Sequence, residues 1–402
     1  MFLPSPHGPP LKVGIMRTSS IGDVVLATSC LHLLNQLKMP IEVTWIGKSP
    51  SIGLIKSAFP DVRCVELNKD TELSQVLKQL SDLHFFIDLQ TNLRSRWLGL
   101  NFKRLYKKPV YTCDKQQIWR NRLIFEGRIY GRKRTLPKRA TKPEALQYQT
   151  MAATVLRAIK EQLPPEMRND IESFDPYPLL PTDHDLKIRP WQKELKFGSW
   201  LAVSPGASFE AKRAPVSLFK DIISEVRTKY YGRLGEGHQP LGLLLVGDSK
   251  DREVILELLD QLGWNEPVLN LAGKLSLWET ALALKGQKCL ISNDSALGHI
   301  AETVGTLSSV LFGPTVEGFG FAPRMEGSRA FSVPLGCRPC SKHGKTPCRY
   351  WDHLCFTSIS TEEISEHIVN LLVKKAPIPE KTVIKHSIAR KRMHKHDYQV
   401  HP

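Results

Sequence analysis

The sequence predicts an α/β protein built from two doubly wound, mostly parallel sheets. Three observations carry that expectation: short apolar runs alternate with longer segments of helical period, the alternation occurs twice, and a proline-rich polar stretch separates the two series. In the first series Leu11–Met16 reads as a strand, Gly22–Leu37 as a helix, and Ile41–Ile46 and His84–Leu89 as further strands. In the second, strands are expected at Leu201–Val203, Leu241–Val246, Val268–Leu271, Cys289–Ser292 and Ser309–Phe312. Helices are expected there at Ser217–Tyr230, Asp251–Leu262, Leu277–Lys285 and Ser295–Val304. From Leu163 to Pro190 six prolines interrupt any apolar period, which marks a linker. Two such units place a ligand cleft between the carboxyl ends of their sheets.

Composition narrows the function classes. With 402 residues, 41% of them hydrophobic and 24% charged, the chain can bury a sizeable core and is not a disordered polyampholyte. No run approaches the roughly 20 apolar residues of a spanning helix, and the four prolines within Met1–Pro10 oppose a signal helix, so a cytoplasmic setting is expected. The net charge of +16 calls for an anionic partner, and it is concentrated: Arg94 to Lys142 holds sixteen Lys or Arg against Asp114 and Glu126 alone. Residues 377–402, with Arg390-Lys391-Arg392, read as a basic disordered tail. Nucleic acid is not the expected partner, because no zinc finger, RNA-binding aromatic signature or sequence-reading helix is present.

Three strand-to-helix turns carry the chemistry. Thr18-Ser19-Ser20-Ile21-Gly22-Asp23 joins the first strand to the first helix; its small residues let backbone amides approach an anion, and Asp23 is either a first-turn acid favoured by the helix dipole or a general base facing the cleft. Ser204-Pro205-Gly206-Ala207-Ser208, followed by Lys212-Arg213, pairs a small-residue turn with cations suited to phosphate. Asn293-Asp294-Ser295 ends a strand and opens a helix, with Asp294 or Ser295 able to cap it or to receive a diphosphate and sugar hydroxyls; His299 lies one turn further on the same face.

A fourth constellation, Cys337-x2-Cys340-x7-Cys348-x6-Cys355, opens with a metal-ligand spacing but continues with gaps unusual for a zinc ribbon. Structural zinc or another metal, packed reduced thiols and disulfides all remain open on spacing, and His343 and His353 could replace a thiolate.

Taken together, Thr-Ser-Ser-Ile-Gly-Asp, Pro-Gly-Ala-Ser followed by Ala-Lys-Arg, Leu-Ala-Gly before a helix, and Asn-Asp-Ser-x-Leu-x-His resemble the ADP-heptose:lipopolysaccharide heptosyltransferases, in the same order, from about Leu11 to Phe356. The resemblance implies a GT-B fold, two Rossmann-like doubly wound domains facing a central cleft. Residues 1–180 would form the acceptor-binding domain and residues 181–376 the nucleotide-sugar-binding domain. It also implies inverting, metal-independent transfer of heptose from ADP-heptose to the lipopolysaccharide inner core of a Gram-negative bacterium. Such an enzyme would be a monomer, cytoplasmic and peripheral at the inner membrane.

Carried over residue by residue, the resemblance makes Asp23 the catalytic base and Lys212 the diphosphate ligand. Ser204, Gly206, Ser208, Asp294, Ser295 and His299 fall on the donor side. Ser20, Gly22, Arg94, Arg96 and Arg120 fall on the acceptor side; Arg94 lies in Asp88-Leu89-Gln90-Thr91-Asn92-Leu93-Arg94-Ser95, which resembles a family element. Thr91, Ala214 and Ala296 depart from the residues usual in the family. Two other functions compete: a relative using another nucleotide sugar for a surface polysaccharide, and a polyanion-binding protein of the same fold without catalysis.

Overall fold

The computed structural model describes residues 9–37, 39–143, 145–163, 176–195, 199–234 and 239–373. The expected basic tail, 377–402, and residues 164–175 of the expected linker lie outside them.

Two all-parallel sheets organise these residues. The first contains β1 (Leu11–Met16), β2 (Ile41–Gly47), β3 (Arg63–Glu66), β4 (Phe85–Asp88) and β5 (Val110–Thr112), in the order β3-β2-β1-β4-β5. The second contains β6 (Ser199–Ser204), β7 (Leu241–Leu245), β8 (Val268–Asn270), β9 (Cys289–Asn293), β10 (Leu307–Leu311) and β11 (Arg329–Phe331), in the order β11-β10-β9-β6-β7-β8. β1, β4, β6, β7, β9 and β10 are almost wholly buried, as strands covered by helices on both faces must be. Strand order reverses beside β1 and β4 in one sheet and beside β6 and β9 in the other. At such switch points adjacent loops diverge and leave a crevice. The three turns singled out above follow β1, β6 and β9.

The halves do not meet through solvent. The helix Ile21–Gln36 is buried on nearly every side, unlike an ordinary surface helix, because it lies between its own sheet and the helix Ala296–Thr303. A Cβ on Gly22 would stand 3.2 Å from the His299 ring and 3.5 Å from the Ala296 backbone, so glycine sets how closely the two helices approach. The described part of the expected linker is packed too. Leu180 donates its amide to the Thr303 carbonyl at 3.2 Å, the Leu179 amide donates to Thr28 Oγ1 at 3.2 Å, and Trp278 Nε1 donates to Asp185 at 2.6 Å.

A second clamp comes from the basic segment, which folds largely as the helices Leu93–Tyr106 and Gln117–Tyr130. Leu123 and Ile124 of the latter share an apolar cluster with Val316 and Phe319 from the other half. Arg120 donates to the Phe319 carbonyl at 2.7 Å, and Arg134 donates to the carbonyls of Gly336 at 3.1 Å and Arg338 at 2.7 Å. At Gly318 the fit is steric, since a Cβ there would lie 2.1 Å from the Arg139 carbonyl oxygen and 2.7 Å from Ala140 Cα. Gly318→Ala is therefore expected to cost about 1–3 kcal/mol in denaturant unfolding. Gly53→Ala, in a helix with nothing within 4 Å of the new methyl, should be neutral or stabilising.

Candidate active site

Asp23 is buried, and both of its carboxylate oxygens have partners. Oδ1 pairs with Arg17 Nη2 at 2.5 Å, while Oδ2 accepts the Ser20 amide at 2.9 Å and the Ser20 hydroxyl at 2.7 Å. Burial alone would raise its pKa, but the Arg17 charge and the Ser20 hydrogen bonds outweigh it and hold the group at about 2. The side chain is an ionised acceptor at every physiological pH. Ser20, placed by resemblance on the acceptor side, binds Asp23 here, and Gly22 packs on His299.

The turn that presents Asp23 is fixed from β4. Gln90 Oε1 accepts the amides of Thr18 at 3.0 Å and Ser19 at 3.1 Å, and its amide nitrogen donates to Ser19 Oγ at 3.2 Å. Lys115 Nζ donates to the Gln90 carbonyl. Burial pushes the Lys115 ammonium down to about 8, helped by the nearby Arg17 charge and opposed by Asp23. Asp88 accepts the Gln90 and Thr91 amides, each at 2.8 Å, and the Ser95 hydroxyl at 2.7 Å. It thereby shapes the element that carries Arg94.

Across the crevice, Lys212 Nζ lies 2.6 Å from Asp294, which also accepts the Thr315 hydroxyl at 2.6 Å. The two were expected as separate ligands; the structure joins them as a pair. An ammonium has three protons, so one bond to Asp294 leaves two for another anion. Although burial opposes ionisation of Asp294, the Lys212 charge and hydrogen bonds lower its pKa. Burial also lowers the pKa of His299, with the Glu302, Asp294 and Asp23 carboxylates pulling the other way, so its ring is neutral at pH 7.

The helix at β9 opens without the side-chain cap expected of Asp294 or Ser295. Ser295 occupies the cap position, but its hydroxyl makes no capping bond and is buried without a partner. Ser295, Asp294, His299, Gly298, Phe321 and Pro323 line a cavity of about 10 Å³, room for roughly one water. First-turn amides have no intrahelical acceptor, so an anion here would satisfy both the helix end and the orphaned hydroxyl.

The remaining sequence-marked residues separate into distinct roles. Ser204 is buried at the end of β6 and Ser208 is exposed. Gly206 has a steric duty, because a Cβ there would fall 2.0 Å from Asp251 Oδ1. Arg94 spends its guanidinium on the carbonyls of Asn68 at 2.6 Å and Thr71 at 2.7 Å, while Arg96 is exposed. Arg120 is buried against the Phe319 ring, 5.3 Å from its centroid, within electrostatic reach of Asp23.

Sequence reasoning missed the residues that hold these turns. Asn293 Nδ2 donates to the Pro205 carbonyl at 2.7 Å, and its Oδ1 accepts the Ala214 amide at 3.0 Å, tying β9 to the Lys212 loop. Asn293 and Gln90 stood inside recognised motifs; Arg17 stood one residue before one. Lys115 and Lys342 had no local signal.

The cysteine-rich loop covers this site. A Cβ on Gly344 would lie 2.1 Å from Lys212 Cγ, and Ser341 Oγ accepts the Lys345 amide at 3.0 Å to hold the turn. The half-buried Lys342 is depressed first by burial, then by Arg120. None of the four cysteines is in a disulfide. Burial and neighbouring thiols push Cys340 up to about 11 and Cys355 up to about 12, so these two are neutral thiols. Among the described residues, no group of three or more His, Cys, Asp or Glu is arranged to hold a metal. The four thiols are free in the structure and lie within electrostatic reach of one another.

Residues 176–350 match the model of glycosyltransferase family 9 (heptosyltransferase). Over that segment the chain is similar to that family. It is 28% identical to lipopolysaccharide heptosyltransferase 2 of Salmonella typhimurium over 42% of this chain and 45% of that protein, less than half of the relative's length. Identity to the lipopolysaccharide core heptosyltransferase OpsX of Haemophilus influenzae is 22% over 74% of this chain and 77% of that one. Among solved structures, ADP-heptose lipopolysaccharide heptosyltransferase II of E. coli superposes with a TM-score of 0.58 at 17% identity, covering 90% of this chain and 98% of the other. That likeness establishes the GT-B fold.

Removing the Arg17 charge should release the Asp23 carboxylate. In Arg17→Gln, an NMR titration of Asp23 is expected to move from about 2 toward the ordinary carboxylate value. Because the folded-state pKa is depressed, the pair stabilises the fold above the ordinary carboxylate range, and that contribution is lost as pH falls toward 2. An unchanged titration would remove Arg17 as the cause.

Proposed function

We propose that the protein transfers heptose from ADP-heptose to the anionic inner core of lipopolysaccharide by a single inverting displacement without a catalytic metal. The observation that carries this reading is the buried, ionised Asp23 carboxylate, set against His299 and the Ser295 helix end, with Lys212 on the same side of the crevice as that helix. The match of residues 176–350 to a heptosyltransferase family model supports the sugar, and the E. coli protein of like fold is an ADP-heptose enzyme. In this reading residues 1–180 hold the acceptor and residues 181–376 the nucleotide sugar.

Asp23 accepts the acceptor hydroxyl's proton as that oxygen attacks the anomeric carbon, while the bond to the diphosphate breaks on the opposite face. One displacement inverts the centre and requires a base but no carboxylate nucleophile. A base with so low a pKa is inefficient toward a free hydroxyl. Its role is to take the proton late, when an oxocarbenium-like centre has made that hydroxyl strongly acidic. Arg17 and Ser20 fix its orientation.

Negative charge collects on the leaving diphosphate. Lys212, held by Asp294, and the amides after Ser295 meet it with two forms of positive potential, supplying the charge a metal would otherwise supply. Neutral His299 can donate or accept a hydrogen bond between the two sides. Lys115, Arg120 and Lys342 surround the Asp23 side with cations that have no carboxylate within ion-pair distance among the described residues. That environment suits an acceptor bearing carboxylates or phosphates.

Two variants test the roles. Asp23→Asn should lose about two to four decades of kcat with donor affinity largely kept. Lys212→Ala should lose about two to three decades. Both are read by ADP release from ADP-heptose with core acceptor; wild-type turnover in either would remove that residue's role, and release from a different nucleotide sugar alone would change the donor.

A further inference from the structure

The helices Leu93–Tyr106 and Gln117–Tyr130 are apolar on two opposite faces, and the protein covers only one of them. Inner residues Leu98 and Phe102 join the core beneath the first sheet, with Phe102 5.8 Å from Phe86 between ring centroids; Leu123 and Ile124 pack on Val316 and Phe319. The outer faces repeat one pattern. Leu93, Trp97, Leu100 and Arg104 occupy successive turns of the first helix, as Ile118, Arg122, Phe125 and Ile129 do on the second, and all are exposed. Leu93 and Ile118 are each 88% exposed, Leu100 68% and Phe125 63%. Eight of the thirteen exposed large apolar side chains among the described residues lie between residues 93 and 130. A helix whose outer stripe is this apolar normally has something covering it.

We propose that these two outer faces dock on the surface of an anionic lipid bilayer. This deepens the function reading above, since a lipid-linked acceptor would be met at such a surface. The occupant is argued from charge. The same segment carries sixteen Lys or Arg against Asp114 and Glu126, and the exposed Arg96, Lys103 and Arg104 sit around the apolar stripe of the first helix. Apolar side chains entering the headgroup layer with cations on anionic lipids is the pattern of an interfacial helix, and Trp97 suits that boundary. A second copy of the chain is disfavoured because two such faces would bring their cations together. The placement also links surface to site. The opposite face of Gln117–Tyr130 carries Arg120, buried within electrostatic reach of Asp23, so docking by this helix holds the Asp23 side of the crevice close to the membrane.

Co-sedimentation with phosphatidylethanolamine vesicles containing about 30% phosphatidylglycerol tests the inference without donor or acceptor. The full chain is expected to sediment with them. The double variants Trp97→Ser/Leu100→Ser and Phe125→Ser/Ile129→Ser should each reduce partitioning by about tenfold or more, with unchanged melting and unchanged transfer to a de-acylated, water-soluble acceptor. Failure of the parent chain to bind, equal binding by the variants, or a self-association that the variants abolish would overturn the inference. A chain that binds vesicles but transfers no heptose leaves this surface standing and removes the function reading; the reverse result does the opposite.

Discussion

An ionised carboxylate buried between two halves of a protein is stable only if its charge is met at once, and much of this molecule is arranged around that requirement at Asp23. Arg17 and Ser20 satisfy the carboxylate within its own turn. Gln90 and Lys115 hold that turn from the neighbouring strands, and glycine at position 22 lets His299 of the other half come against it. An unpaired carboxylate here would protonate rather than remain charged, and the turn would lose the contacts that shape it.

The same economy appears across the crevice. Lys212 and Asp294 neutralise each other, leaving the unpartnered Ser295 hydroxyl and the helix end as the unsatisfied groups. In the proposed function, a site that is neutral where it is paired and electropositive where it is open suits an anion that brings several acceptors together, as a diphosphate does. Several cations of the first half are spent inside the protein. Arg120 and Arg134 grip backbone carbonyls of the other half, and Arg94 braces a loop of its own sheet. Lys115 and Lys342 keep their charge turned toward Asp23.

The sheets were largely legible in the sequence because a parallel strand buried on both faces announces itself as a short apolar run. Leu11–Met16 and Leu241–Leu245 are found within a residue of their expected limits. The edge strands Arg63–Glu66, Val110–Thr112 and Arg329–Phe331 were not legible, being short and partly exposed. The helices of the basic segment escaped notice because their outer stripes break the usual polar-out pattern. Within the site, strand-to-helix turns could be read because they need small residues and acids in a fixed order. The pairing of Lys212 with Asp294 and the approach of Gly344 to Lys212 arise from residues far apart in the chain, to which no local pattern points.

In the proposed function, Asp23 and the Lys212–Ser295 side face each other across one sugar. A crystal structure with a non-transferable fluorinated ADP-heptose tests it most directly. The diphosphate is expected on Lys212 and the amides after Ser295, with the Asp23 carboxylate on the opposite side of the anomeric carbon, within reach of an incoming hydroxyl. A nucleotide seated in the first sheet's crevice, or an anomeric carbon facing away from Asp23, would contradict it.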